Sequence, residues 1–210
     1  MNGQLLIALP KGRLYDQACG LLDRAHIRRE SAPGRSLMQQ DTSGIYAFIQ
    51  LKPVDIPVYV ETGTVDVGIV GTDILRELDS NVYEPLDLQI GKCRLVLAAP
   101  TGVKLSTTNH LRIATKYPST ALRYFSLRKT HPHIIRLEGS VEIAPVLGLA
   151  DAIVDLVETG RTLKENGLTI VDVVEEVTAR LIINRTSMKT KTQQVHALID
   201  ALDAVVYAAH

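Results

Sequence analysis

Thr159-Gly160-Arg161-Thr162 places two hydroxyls, a guanidinium and a glycine in four consecutive residues, directly after the apolar run Ala152–Val157. A buried strand that feeds such a loop ahead of a helix N-terminus suits a phosphate group. The loop amides are free, the helix dipole favours an anion, and glycine lets the backbone come close. By itself T-G-R-T is more often a plain turn between strand and helix. Acids recur just upstream, at Glu142, Asp151 and Asp155. Asp155 interrupts an apolar strand, where a carboxylate is costly unless it is paired, hydroxyl-bound or metal-linked. Carboxylates beside a phosphate loop suit the hydroxyls of a sugar, or a Mg²⁺ carried by a polyphosphate. A cap or surface acid is the equal alternative for Asp151.

Other segments repeat the anionic theme. Lys11-Gly12-Arg13 sets two cations around a glycine, Lys116, Ser119 and Thr120 follow a second apolar run, and Arg35 lies on a polar stretch able to reach over. Arginine binds phosphate bidentately and lysine acts as a point charge. Any one of these cations is more simply a solvated surface charge; their recurrence after apolar runs favours function. No Ser-His-Asp spacing, His-x-x-x-His pair or cysteine metal motif is present. Such a site works by positioning and charge stabilisation, without a protein nucleophile or a protein-only metal site.

Composition narrows the classes. Lys+Arg and Asp+Glu balance at 23 each, which argues against a general nucleic-acid or membrane-surface binder. With 46% hydrophobic residues the 210-residue chain has the material for one or two domains. Cys19 and Cys93 read as reduced packing residues. The N-terminus has no basic region followed by a long apolar run, and no stretch approaches the ~18 apolar residues of a spanning helix, so a cytoplasmic location is expected.

Hydrophobic periodicity gives the elements that would position these residues. Strands are expected at Leu5–Leu9, Ile45–Leu51, Val65–Val70, Cys93–Ala99, Leu111–Thr115, Ile134–Leu137, Ala152–Val157, Ile170–Val174 and Thr178–Asn184. Helices are expected at 14–25, around Pro57, at Leu75–Leu78, at Ala121–Arg128, from Ser140 towards Leu149, after Leu163, and from Lys191 to the end. Residues 30–44 read as partly loop and Tyr83–Gly91 as a connector. Alternation of strand and helix implies α/β architecture with a mostly parallel, helix-covered sheet. The strand–loop–helix form of residues 5–22 returns at 111–128, and that of 65–75 at 151–163. This echo implies two similar lobes around a cleft, lobe I from 1–91 plus about 180–210 and lobe II from 92–179. Loops 10–13, 71–73, 116–120 and 159–162 then sit at the carboxyl ends of strands, where open α/β sheets bind ligands.

The pattern E-x5-G-x-A-x2-I-x-D-L-x2-T-G-x-T-L, from Glu142 through Leu163, resembles the signature of the ATP phosphoribosyltransferase family. The resemblance extends to ALPKGRL near the N-terminus, VDIPVYVETGTVDVGIVGTD (54–73), CRLVLAAP (93–100), RIATKYP (112–118) and LEGSVEIAP (137–145). It implies a fold similar to the type II periplasmic binding proteins and a role in the first step of histidine biosynthesis. Adenine N1 of ATP displaces pyrophosphate from C1′ of 5-phosphoribosyl 1-pyrophosphate, with Mg²⁺ required. On this resemblance Glu158, Thr159, Gly160, Arg161 and Thr162 cradle the 5-phosphate, while Lys11, Arg13 and Arg35 stabilise the leaving pyrophosphate. Gly12, Gly71, Thr72 and Asp73 lie on the ATP and pyrophosphate side, and Glu142, Asp151 and Asp155 match motif acids assigned to ribose or metal. Lys52 and Thr62 fall where relatives can carry other residues.

The final strand leads to one amphipathic helix, so the chain resembles the short form of the family. That form implies a catalytic homodimer within a hetero-oligomer, completed by a regulatory subunit similar to histidyl-tRNA synthetase. Two other classes remain open on the residues alone: a non-enzymatic two-lobe binding protein, and a phosphoribosyltransferase using a different nucleophile.

Overall fold

The apolar run at the start of the chain becomes β1 (Leu5–Pro10), almost entirely buried, and Gly12 marks the turn into α1 (Arg13–Arg24). α1 turns Ala18, Cys19, Leu21 and Leu22 inward, the face its 3.6-residue period specifies. The computed structural model describes residues 3–30, 38–103, 105 and 111–208. Its further elements are β2 (Met38–Gln40), β3 (Tyr46–Leu51), α2 (Ile56–Glu61), β4 (Val67–Gly71), α3 (Thr72–Leu78), β5 (Tyr83–Asp87), β6 (Cys93–Pro100) and β7 (Arg112–Thr115). Then come α4 (Pro118–Leu127), β8 (His133–Arg136), α5 (Ile143–Val146), β9 (Ala152–Val157), α6 (Arg161–Glu165), β10 (Leu168–Val177), β11 (Ala179–Ile183), α7 (Ser187–Thr190) and α8 (Thr192–Tyr207).

The expected α/β architecture is present as two sheets, each mixed. The first has the order β2-β3-β1-β4-β11-β5 and the second β10-β6-β9-β7-β8. Parallel strands form the middle of the first (β3-β1-β4) and one side of the second (β9-β7-β8); β2, β11, β6 and β10 run antiparallel to their neighbours. Contacts divide the chain into two compact units. One comprises Met1–Leu75, Asp79–Gly91 and Thr178–His210; the other comprises Arg76–Leu78 and Lys92–Val177.

Each sheet is covered on both faces. In the first unit, Leu5, Ile7, Val67, Ile69 and Leu181 meet α1 and α8 on one side. Ala8, Val70 and Ile182 meet Ile56 and Val60 of α2 on the other. In the second unit, Leu95, Ile113 and Val154 pack with Ala121, Tyr124 and Phe125 of α4, while Val96, Ala114 and Ile153 pack with Ala144 and Leu163. Cys19 and Cys93 are buried in separate cores and no disulfide joins them.

Several elements differ from the sequence expectation. Tyr83–Gly91 contains a strand: Pro85 is tolerated because β5 is the outer strand of its sheet. The polar 30–44 stretch contributes β2, paired to β3. The helix expected from Ser140 is only the four residues of α5, with Glu142 at its N-cap; Ser140 lies outside it in a left-handed conformation, φ 49. β10 runs through as one ten-residue strand, with register shifts at Ile170/Asp172 and Val173/Glu175.

Asp66, 7% exposed at the start of β4, anchors the C-terminal segment. Oδ2 accepts from Leu6 N at 2.9 Å and Lys191 Nζ at 2.6 Å, and Oδ1 accepts from Ser187 Oγ at 2.6 Å. Removing one partner of such a buried pair strands the other. Asp66→Ala is expected to lower unfolding free energy by about 3 kcal/mol, measured by urea denaturation.

Candidate active site

In the second unit β7 and β9 are parallel neighbours, with Ile113 opposite Ala152 and Thr115 opposite Val154. Lys116 and Glu158 therefore leave the same edge of the sheet. Past Val157 the chain is exposed at Glu158 and Thr159, then turns at Gly160, whose φ of 76° and ψ of 3° are left-handed. A side chain there would be strained, so glycine is required by conformation. α6 begins at Arg161, two residues earlier than expected, so Arg161 and Thr162 form its first turn. Among the described residues, the amides of Thr159, Gly160 and Thr162 donate to no protein acceptor, and Arg161 N reaches Thr159 Oγ1 only at 3.5 Å. Three open amides, two hydroxyls and a guanidinium in an exposed loop make an anion cradle.

Asp155 lies on the strand leading into this loop and is half-buried. Its Oδ1 accepts from Leu156 N at 2.9 Å. Desolvation pushes its pKa above the ordinary carboxylate value, the neighbouring Glu142 charge adds to the rise, and Lys116 and the Leu156 amide oppose it. Glu142, Asp155 and Lys116 therefore act within one electrostatic neighbourhood. A carboxyl group with a raised folded pKa contributes stability below its unfolded value and loses it as pH rises through the folded value. At neutral pH ionised Asp155 is thus a cost. Asp155→Asn is expected to raise the Tm at pH 7 by about 2–4 °C, with the gain shrinking as pH falls toward 4, in thermal scans across pH.

The structure places Asp151 away from the 158–162 loop. It precedes β9 at the amino end, about 20 Å of extended strand away from the 158–162 loop. Arg112 holds it twice: Nη2 donates to Oδ1 at 2.7 Å, and Nε donates to Oδ2 at 3.3 Å. The backbone amide of Arg112 adds a third bond to Oδ2 at 2.8 Å. The hydrogen bonds from Arg112 hold the Asp151 pKa below its ordinary value. In this structure Asp151 is the ion-pair partner of Arg112. Sequence alternation alone does not distinguish the two ends of one strand.

The 116–120 segment is also corrected. Pro118–Thr120 open α4 instead of forming a loop, and the amides of Ser119 and Thr120 are taken by Glu77.

In the first unit β1 and β4 are parallel neighbours, so Lys11 and Thr72 leave a common edge. Lys11 N donates to Leu51 O at 2.8 Å, which continues the strand pairing by one residue. Gly12 has φ 87° and ψ −154°, a region open essentially to glycine alone, and it turns the chain so that Arg13 becomes the first residue of α1. Lys11, Gly12 and Arg13 are all exposed. The Gly71–Asp73 group is less accessible than the sequence implies. Thr72 and Asp73 are 3% and 6% exposed. Thr72 N donates to Thr178 O at 2.9 Å, and Thr72 Oγ1 accepts from Thr178 N at 3.3 Å. Thr178 Oγ1 in turn donates to Asp87 Oδ2 at 3.0 Å, which Arg180 Nη2 also reaches at 3.2 Å. Thr72 thus braces the end of β4 against the start of β11. Arg35 lies outside the described residues. No group of three His, Cys, Asp or Glu able to hold a metal occurs among the described residues. No helix among them is long and apolar enough to cross a membrane.

Comparison with known proteins bears on what this arrangement does. Residues 52–204 match the family model described as HisG, ATP phosphoribosyltransferase. The chain is 48% identical over 207 residues to an ATP phosphoribosyltransferase of Caldicellulosiruptor bescii, covering 96% of this chain and 99% of that protein. It is 45% identical over 202 residues to that of Caldanaerobacter subterraneus subsp. tengcongensis, covering 95% and 96%. Its structure matches a chain of the ATP phosphoribosyl transferase (HisG:HisZ) complex from Thermotoga maritima with a TM-score of 0.85 and 35% identity, over 97% of this chain and 98% of that one. A strand end with open amides, a cationic strand end and these relatives agree: the chain belongs to the ATP phosphoribosyltransferase family, whose enzymes transfer the phosphoribosyl group to ATP in the first step of histidine biosynthesis.

Proposed function

We propose that residues 158–162 bind the 5-phosphate of 5-phosphoribosyl 1-pyrophosphate and that Lys11, Gly12 and Arg13 serve the pyrophosphate and ATP side. The observation that carries the first assignment is the exposed loop whose Thr159, Gly160 and Thr162 amides have no acceptor among the described residues. Adenine N1 offers a lone pair and carries no proton, so its attack on C1′ needs no general base. The barrier lies in charge separation. Positive charge builds on the ribose while pyrophosphate leaves with additional negative charge. Lys11 and Arg13 stabilise the leaving side, and Asp155 with Glu142 faces the ribose cation. The raised pKa of Asp155 fits a carboxylate kept partly desolvated for that purpose. Mg²⁺ enters as the complex of the pyrophosphate substrate, where it neutralises phosphate oxygens.

The chain also acts, on this reading, as a catalytic homodimer in a cytoplasmic hetero-oligomer with a regulatory subunit similar to histidyl-tRNA synthetase. The support is its similarity to a chain of the HisG:HisZ complex from Thermotoga maritima. The purified chain is mixed with ATP, 5-phosphoribosyl 1-pyrophosphate and Mg²⁺, with and without that subunit, and product absorbance is followed. Product formation that becomes histidine-sensitive only with the subunit is expected. Strong inhibition of the isolated chain by micromolar histidine would contradict the partnership.

A further inference from the structure

Two strand ends of the second unit present backbone amides to an anion, and only one of them is open. α4 starts with Pro118, which has no N–H. The next two amides, Ser119 N and Thr120 N, donate to Oε1 and Oε2 of Glu77, each at 2.9 Å. Ala121 N already reaches Tyr117 O at 2.9 Å. The first turn of α4 therefore has no backbone N–H left for a substrate. The loop that follows the adjacent parallel strand keeps the Thr159, Gly160 and Thr162 amides open among the described residues.

Glu77 is poorly placed for its own helix. It stands in the last turn of α3, where a negative charge opposes the helix dipole. What it contributes lies on α4, 42 residues further along the chain. The contact is braced on either side. Arg123 Nη2 donates to Arg76 O at 2.6 Å and to Thr120 Oγ1 at 3.0 Å, and Arg76 pairs with Glu175. The segment Arg76–Leu78 belongs to the second unit together with α4.

We infer that Glu77 is a specificity-determining residue: its carboxylate is the resident anion of the α4 strand end and bars substrate phosphate from it. Neighbouring strands lie about 4.8 Å apart, so the two strand ends compete for the same phosphate groups. The substrate carries a monophosphate and a pyrophosphate. Seating either at α4 would misplace C1′ relative to the adenine. A fixed carboxylate removes that mode by occupying its donors and by like-charge repulsion. The inference rests on the reading of 158–162 as the 5-phosphate loop.

The test follows amide resonances of the full chain during titration with inorganic phosphate. In the unsubstituted protein the Thr159, Gly160 and Thr162 amides move while Ser119 and Thr120 stay still. In Glu77→Ala all five move. Steady-state kinetics supply a second readout. Nonproductive seating lowers kcat and KM for the phosphoribosyl substrate by the same factor, about threefold or more, and leaves kcat/KM nearly unchanged. A merely structural role would lower kcat/KM instead. If the alanine variant fails to fold, Glu77→Gln takes its place, because it keeps one acceptor for the helix while losing the charge. Silent Ser119 and Thr120 amides in a folded variant, or a fall in kcat/KM without phosphate binding there, overturn the inference. Silent 159–162 amides in the unsubstituted protein overturn the phosphate-loop reading instead.

Discussion

Arg13→Ala is expected to lower kcat by about 10²–10³-fold, because a cation facing the leaving group acts chiefly on charge that develops in the transition state. Arg13 opens α1 immediately after Gly12, whose backbone conformation only glycine holds comfortably. The turn thus places residue 13 at the strand-end edge of the first sheet. Removing the guanidinium leaves the buried face of α1 untouched, since Ala18, Cys19, Leu21 and Leu22 hold the helix. The Tm should therefore shift little. Lysine at this position should restore only part of the rate, because a point charge cannot make the two parallel contacts of a guanidinium. Single-turnover measurements at saturating substrates separate this loss from a change in binding. Unaltered turnover in Arg13→Ala would remove Arg13 from the leaving-group role.

Thr162→Glu gives the second large effect, in KM. Position 162 lies in the first turn of α6, where an acid is favourable for the helix itself. Folding should be unharmed, or slightly improved. The same carboxylate faces the anion cradle formed by residues 159–162 and repels a phosphate there. KM for the phosphoribosyl substrate is expected to rise about 100-fold, with KM for ATP changed far less, as the loss of roughly two charged hydrogen bonds implies. Initial-rate series in both substrates test this. Equal rises for both substrates would mean the variant had damaged the protein generally.

Much of the fold is legible in the order of residues alone. The runs at Leu5–Pro10, Val67–Gly71, Cys93–Pro100 and Ala152–Val157 are continuous enough in apolar residues to specify strands buried on both faces. Gly160 and Gly12 stand where the backbone takes left-handed or glycine-only conformations, so their meaning is local and readable. The features that escape such a reading are set by neighbours distant in sequence. β5 resembles a connector because its tolerance of Pro85 depends on lying at the sheet edge. Asp151 resembles part of the acid set until Arg112, on another strand, claims it. Glu77 carries one faint signal, an acid in the last turn of a helix, with no hint of the partner it serves. Thr178, Asp87 and Arg180, which fix Thr72, likewise meet only through the pairing of β11 with β4 and β5.

The central claim is that the phosphate end of the sugar substrate sits at the carboxyl end of β9. A crystal structure of the chain with Mg²⁺ and 5-phosphoribosyl 1-pyrophosphate tests it most directly. The account predicts the 5-phosphate oxygens about 2.7–3.2 Å from the amides of Thr159, Gly160 and Thr162, with Glu77 still on Ser119 and Thr120. Finding the 5-phosphate at the start of α4, or against Lys11 and Arg13, would contradict it.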